Sequence, residues 1–161
     1  MSKEKLDEAI ELRKNKKPEE AMVILKALLQ ENPNDADLNY QIAWICDFMG
    51  HESEAAPYYE KALSLGLKEG RLGAMLGLGS TYRCLGEYEK SLKVFDQAVS
   101  EFPNERPLKV FRALTLYNLG RAEESVSQLL IQLLDTTSDP AIKGYEGALR
   151  FYSDKLNQTW K

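Results

Sequence analysis

The sequence predicts an all-α solenoid built from paired helices, and three observations carry that prediction. Gly50, Gly86 and Gly120 stand 36 and 34 residues apart, each between two helical patterns. Small residues keep the same period, with Ala21, Ala55, Ser91 and Ser125 at intervals of 34, 36 and 34. Between these marks the apolar residues recur at three- and four-residue steps, the spacing of amphipathic helices in a repeat array.

The first unit, approximately residues 2–35, opens on the charged run Met1-Ser2-Lys3-Glu4-Lys5 and holds Ala9, Leu12, Ala21, Leu25 and Leu28 at its packing positions. Its basic cluster, Arg13-Lys14-Asn15-Lys16-Lys17, falls at the end of the first helix, where cations offset the helix dipole. Pro33 closes the unit. The second unit, 36–69, carries Ile42, Ala43, Cys46, Gly50, Ala55, Tyr59 and Ala62. It ends without a proline, in the stretch Gly66–Arg71, where two extra residues lie.

The third unit, 72–105, is the most regular. Met75, Leu78, Gly79 and Tyr82 form one helix face, and Leu92, Phe95 and Val99 another. Gly86 ends the first helix because glycine readily takes the left-handed conformation. Pro103 stops the second because it has no N–H to continue the ladder. Gly79 marks a close approach of two helices. Gly77 has no place in the pattern and leaves room for a ligand or a neighbouring side chain. The fourth unit, 106–139, repeats the scheme with Ala113, Leu116, Gly120, Ser125 and Leu129. Asp139-Pro140 then starts a last helix, approximately 140–157, with Ile142, Tyr145, Leu149, Tyr152 and Leu156 on one stripe. That helix is expected to cover the end of the array; docking in the groove or exchange between chains are the alternatives. The whole chain, 1–161, reads as one domain.

With 43% hydrophobic and 29% charged residues, the chain has the composition of a folded protein. A net charge of −4 lacks the basic surplus of nucleic-acid binding, so no nucleic-acid partner is expected. No signal-peptide core and no run of eighteen apolar residues is present, which predicts a cytoplasmic protein without a membrane partner. Cys46 and Cys84 are far apart and fall in apolar helical patterns, so both are expected to be buried thiols. Two cysteines and the single His51 give no zinc spacing, and no metal or other cofactor is expected.

The residues Met75, Leu78, Gly79, Tyr82, Gly86, Tyr88, Ser91, Phe95, Ala98 and Pro103 resemble the tetratricopeptide repeat pattern, and the other units match it in part. The likeness covers about residues 2–139. Glu8 and Arg112 depart from it at positions where the family prefers an aliphatic residue, and Ser91 and Ser125 replace alanine. The resemblance implies a right-handed solenoid whose first helices line a concave groove that binds a peptide or helical segment of another protein. In the family register the groove residues are Leu6, Ile10 and Arg13, then Tyr40, Trp44 and Asp47. Ser80 and Arg83 follow from the third unit, and Val110, Leu114 and Tyr117 from the fourth. Arg13 and Arg83 are its candidate anion contacts. The basic clamp that some family members use for chaperone carboxylates is missing, since Leu6, Ile10, Gln41, Gly73 and Gly77 occupy those places. The rival expectation is a homodimer or larger scaffold, joined through the C-terminal helix or an exposed repeat end.

No catalytic set emerges. His51 sits in a turn with no fixed partner, Cys46 at a packing position, and Glu19-Glu20 and Glu123-Glu124 in first helical turns. The glycines Gly73, Gly77 and Gly79 do not follow a strand and make no phosphate loop. The chain is expected to be non-enzymatic.

Overall fold

Helix alternates with tight turn along the chain, as the repeat predicts. A computed structural model describes residues 2–161, so Met1 of the charged N-terminal run lies outside the described residues. The helices are α1 (Ser2–Lys14), α2 (Pro18–Glu31), α3 (Ala36–Phe48), α4 (Glu52–Ser64) and α5 (Arg71–Cys84). They continue with α6 (Tyr88–Glu101), α7 (Arg106–Asn118), α8 (Ala122–Thr136), α9 (Pro140–Gly144) and α10 (Glu146–Tyr152). No strand forms among the described residues.

Two compact units divide the chain, Met1–Glu87 and Tyr88–Lys161. The boundary falls just after the α5–α6 turn, so the third predicted repeat gives one helix to each unit. In the first unit α1 packs on α2, α2 on α3, α3 on α4 and α4 on α5, while α3 also meets α1 and α5. Its core is Ala9, Ala21, Leu25, Ile42, Ile45, Cys46, Ala55, Tyr59 and Met75, all almost fully buried. In the second unit α6 packs on α7, α7 on α8 and α10 on α8. Phe95, Ala98, Leu108, Ala113 and Leu116 form its core.

The turn glycines do what their spacing implies. Gly50, Gly86 and Gly120 have φ of 75°, 78° and 74°. Each donates its N–H three residues back while the next residue donates five back, as in Gly50 N→Asp47 O and His51 N→Cys46 O. This pairing satisfies the last carbonyls of the helix. The first repeat makes the same turn without glycine. Lys16, 34 residues before Gly50, has φ 59°, and its bonds to Arg13 and from Lys17 to Leu12 repeat the pattern.

Three of the four departures from the repeat pattern have structural partners; the fourth, Glu8, is exposed. Buried Ser91 on α6 lies 2.9 Å from the Thr115 hydroxyl of α7, and buried Ser125 on α8 donates to the Ala113 carbonyl at 2.7 Å. Arg112 donates to Asp96 at 2.6 Å and to Gln128 at 3.4 Å. Cys46 is buried as expected, but Cys84 is exposed. It lies two residues beyond buried Tyr82, which turns it to the opposite side of α5.

The C-terminal helix comes in two pieces. Asp139 caps α9 through bonds from the Ala141 and Ile142 amides, as Asp139-Pro140 predicts. The helix breaks at Tyr145, between Gly144 and Gly147, where glycine weakens helix formation. The predicted stripe is only partly covered: Ile142 and Leu149 are half-buried, whereas Tyr145, Tyr152 and Leu156 are exposed. Asp135 of α8 holds α10, accepting from Arg150 at 2.8 Å and from Arg106 of α7 at 3.1 Å.

Candidate functional site

Three first helices of the first unit, α1, α3 and α5, bring most of the expected groove residues together. Helical spacing sets the arrangement: Tyr40, Trp44, Asp47 and Phe48 lie at three- and four-residue steps on α3 and share a face. The opposite side of α3 carries Ile42, Ile45 and Cys46 into the core.

Glycines of the neighbouring segment receive the tyrosines. A Cβ on Gly70 would lie 2.6 Å from the Tyr40 ring, and one on Gly73 would strike the Tyr40 hydroxyl. A Cβ on Gly77 would lie 2.5 Å from the Tyr59 ring. Gly77 therefore leaves room for a neighbouring side chain, one of the two reasons its sequence position suggested. The Tyr40 and Tyr59 rings are 6.3 Å apart and tilted. Burial raises the pKa of both phenols, more strongly for Tyr59, and keeps them as neutral hydroxyls.

Arg13 spans the α1–α3 gap. Its guanidinium lies 4.3 Å over the Trp44 ring, and its Nη1 donates to Gln41 at 2.5 Å. Gln41 in turn donates to Asp37 at 3.2 Å. Arg13 is thus engaged within the chain through its Nη1 and the Trp44 ring, while its Nε is buried with no hydrogen-bond partner. Phe48, 57% exposed, stacks on Trp44 with centroids 5.5 Å apart and planes 6° from parallel.

Asp47 has a different environment. It accepts from the Tyr59 hydroxyl at 3.3 Å and the Thr81 hydroxyl at 3.4 Å, both long bonds from neutral donors. Burial pushes its carboxyl above the ordinary range; the two hydroxyls oppose this, and Glu52 adds to it. The half-buried residues Leu6 and Ile10 are on α1, and half-buried Ser80 and Arg83 on α5. Phe48 was not among the expected groove residues, although it stands four residues after Trp44. Gln41 entered the sequence reading only as an absent clamp residue, and Asp37 not at all.

In the second unit the expected residues all lie on α7. Leu114 and Tyr117 are exposed, at 37% and 67%. Val110 instead lines an open cleft of about 470 Å³ with Phe111, Leu129 and Leu133, at the α7–α8 edge. Among the described residues no group of three or more His, Cys, Asp and Glu is placed to hold a metal. No helix there is long and apolar enough to cross a membrane.

A family profile described as tetratrico peptide repeat matches residues 36–156. Superkiller protein 3 of Saccharomyces cerevisiae is 31% identical over 78 residues, 48% of this chain but only 5% of that protein's length. Among solved structures, YrrB, described as a TPR protein with an unusual peptide-binding site, superposes with a TM-score of 0.74 at 21% identity, covering 96% of this chain and 77% of that one. MamA from Desulfovibrio magneticus RS-1 gives 0.75 at 18% identity, covering 96% and 88%. TTC0263, a thermophilic TPR protein of Thermus thermophilus, gives 0.65 at 21%, covering 98% and 85%.

Proposed function

The chain belongs to the tetratricopeptide repeat family, and from that premise we propose that the α1–α3–α5 face of the first unit binds a peptide or helical segment of another protein. The fold is in general a protein-interaction module without catalytic machinery. The observation that carries the finer reading is the Trp44 cluster. A stacked aromatic pair with one ring exposed, a guanidinium and a half-buried carboxylate sit together on first helices, where interface anchors of this type bury large area and retain polar contacts. In this reading Leu6, Ile10, Arg13, Tyr40, Trp44, Asp47, Ser80 and Arg83 line the binding face. In the second unit, taken by itself, Val110, Leu114 and Tyr117 are the contact residues of α7, and no chemistry takes place at either set.

Peptide display against the folded protein tests this. Selected peptides are expected to lose at least about tenfold in affinity on Trp44→Ala or Phe48→Ala, the loss of one hot-spot ring. Retained affinity on both variants, with circular dichroism confirming that they fold, would remove the site from α3.

A second reading, self-association through the C-terminal segment, has its own observation. Phe151, Tyr152 and Trp160 are 52%, 46% and 56% exposed and touch one another at centroid distances of 5.4–6.2 Å. Exposed apolar clusters of this kind mark contact surfaces. Light scattering decides: a mass above 18.3 kDa that returns to it on Trp160→Ala supports the scaffold. A constant mass across concentration ends it.

A further inference from the structure

On the α1–α3–α5 face Asp47 is a carboxylate met only by neutral donors. Arg13 donates to Gln41 and lies on the Trp44 ring. Asp47 is bonded only by neutral hydroxyls, and among the described residues no Lys or Arg nitrogen pairs with it. We propose that Asp47 receives the Lys or Arg cation of the bound segment, making this a face for basic peptides; the proposal rests on the groove reading above.

Three physical points favour this occupant. Asp47 is already half-buried in the folded protein. A ligand cation therefore adds its own dehydration and only the remaining part of that of Asp47. A charge-assisted bond is shorter and about twice as strong as the neutral ones Asp47 now accepts. Finally, Trp44 stands three residues before Asp47 and Phe48 one after it, so a long basic side chain can lay its methylenes on rings while its head reaches the carboxylate. The Arg13 guanidinium on Trp44 shows that this ring system accepts a cation.

The test uses the full chain and peptides selected from a random display library, resynthesised and titrated at fixed salt. Lys or Arg is expected to be enriched in peptides that depend on Trp44. Asp47→Asn, which keeps the shape and an oxygen acceptor, should weaken them about tenfold, as should replacing the peptide's basic residue by Gln. Combining both changes should cost little more than either alone. The peptide-side substitution keeps the test valid even if Asp47→Asn disturbs folding. Peptides that depend on Trp44 or Phe48 but bind equally well without their basic residue overturn this assignment and leave the groove reading standing. Peptides indifferent to Trp44→Ala and Phe48→Ala overturn the groove reading itself, and this assignment with it.

Discussion

At the scale of single residues, the glycines of α5 are fitted to particular rings. Gly77→Ala gains up to about 1 kcal/mol of helix propensity but drives a methyl into Tyr59, which is 1% exposed and tied to Asp47. Overpacking of that kind costs about 1–3 kcal/mol, so a net loss of urea stability is expected. Gly73→Ala meets only the hydroxyl end of half-buried Tyr40 and should be the milder change. Lys16 holds a conformation that glycine takes in later turns, and Lys16→Gly should raise the urea midpoint by about 0.5–1 kcal/mol equivalent. Asp47 makes a third case. Its folded pKa lies above the unfolded one, so the folded state binds the proton more tightly and stability falls as pH rises through that interval. Tyr59 of α4, Thr81 of α5 and Glu52 at the start of α4 are the groups that set its environment. Asp47→Asn should therefore be more stable than the parent at pH 7 in thermal melts. The gain should vanish below the carboxylate range. Much of this was beyond sequence reasoning for a definable reason. Gly77 was visible as an anomaly, but its partner Tyr59 lies 18 residues away on another helix. Lys16 carried no turn signal because any residue can be forced into a position that only glycine advertises.

Single helices show which parts of the repeat were legible. The periodic apolar positions of α3 and α7 located their buried faces, and Ala113, Leu116, Ile42 and Ala43 are all buried. The C-terminal stripe misled in part, because periodicity cannot report that Gly144 and Gly147 flank a break. Polar contacts join the C-terminal segment to α8: Asp135 accepts from Arg150 of α10 and from Arg106 of α7, and Asn157, beyond α10, donates to Glu123 at 2.8 Å. The Arg150 and Arg106 bonds hold the Asp135 carboxyl below its ordinary value. A depressed folded pKa gives stabilisation that is complete above the unfolded value and lost as pH falls through the folded one. The attachment of α10 should accordingly weaken only in acid, below about pH 4. Asp135→Asn should speed amide exchange in α10 at neutral pH while leaving α7 protected. Equal exchange in the variant and the parent would show that apolar contact alone holds the tail.

For the whole molecule, the net charge of −4 and the basic ligand inferred for Asp47 make one joint statement. Association should slow and weaken as salt rises, because screening shortens the reach of the protein's field to about 8 Å at physiological ionic strength. Composition gave only the sign of the net charge and could not locate the carboxylate proposed to set the charge preference. The Trp44 cluster also has an optical consequence. The chain has two tryptophans, and Trp160 is in the tail, so Trp160→Phe leaves Trp44 as the sole tryptophan. Its indole carries a guanidinium on its ring and a stacked phenyl beside it, both of which a bound segment would rearrange. Emission at tryptophan wavelengths then reads occupancy of this face without any attached dye.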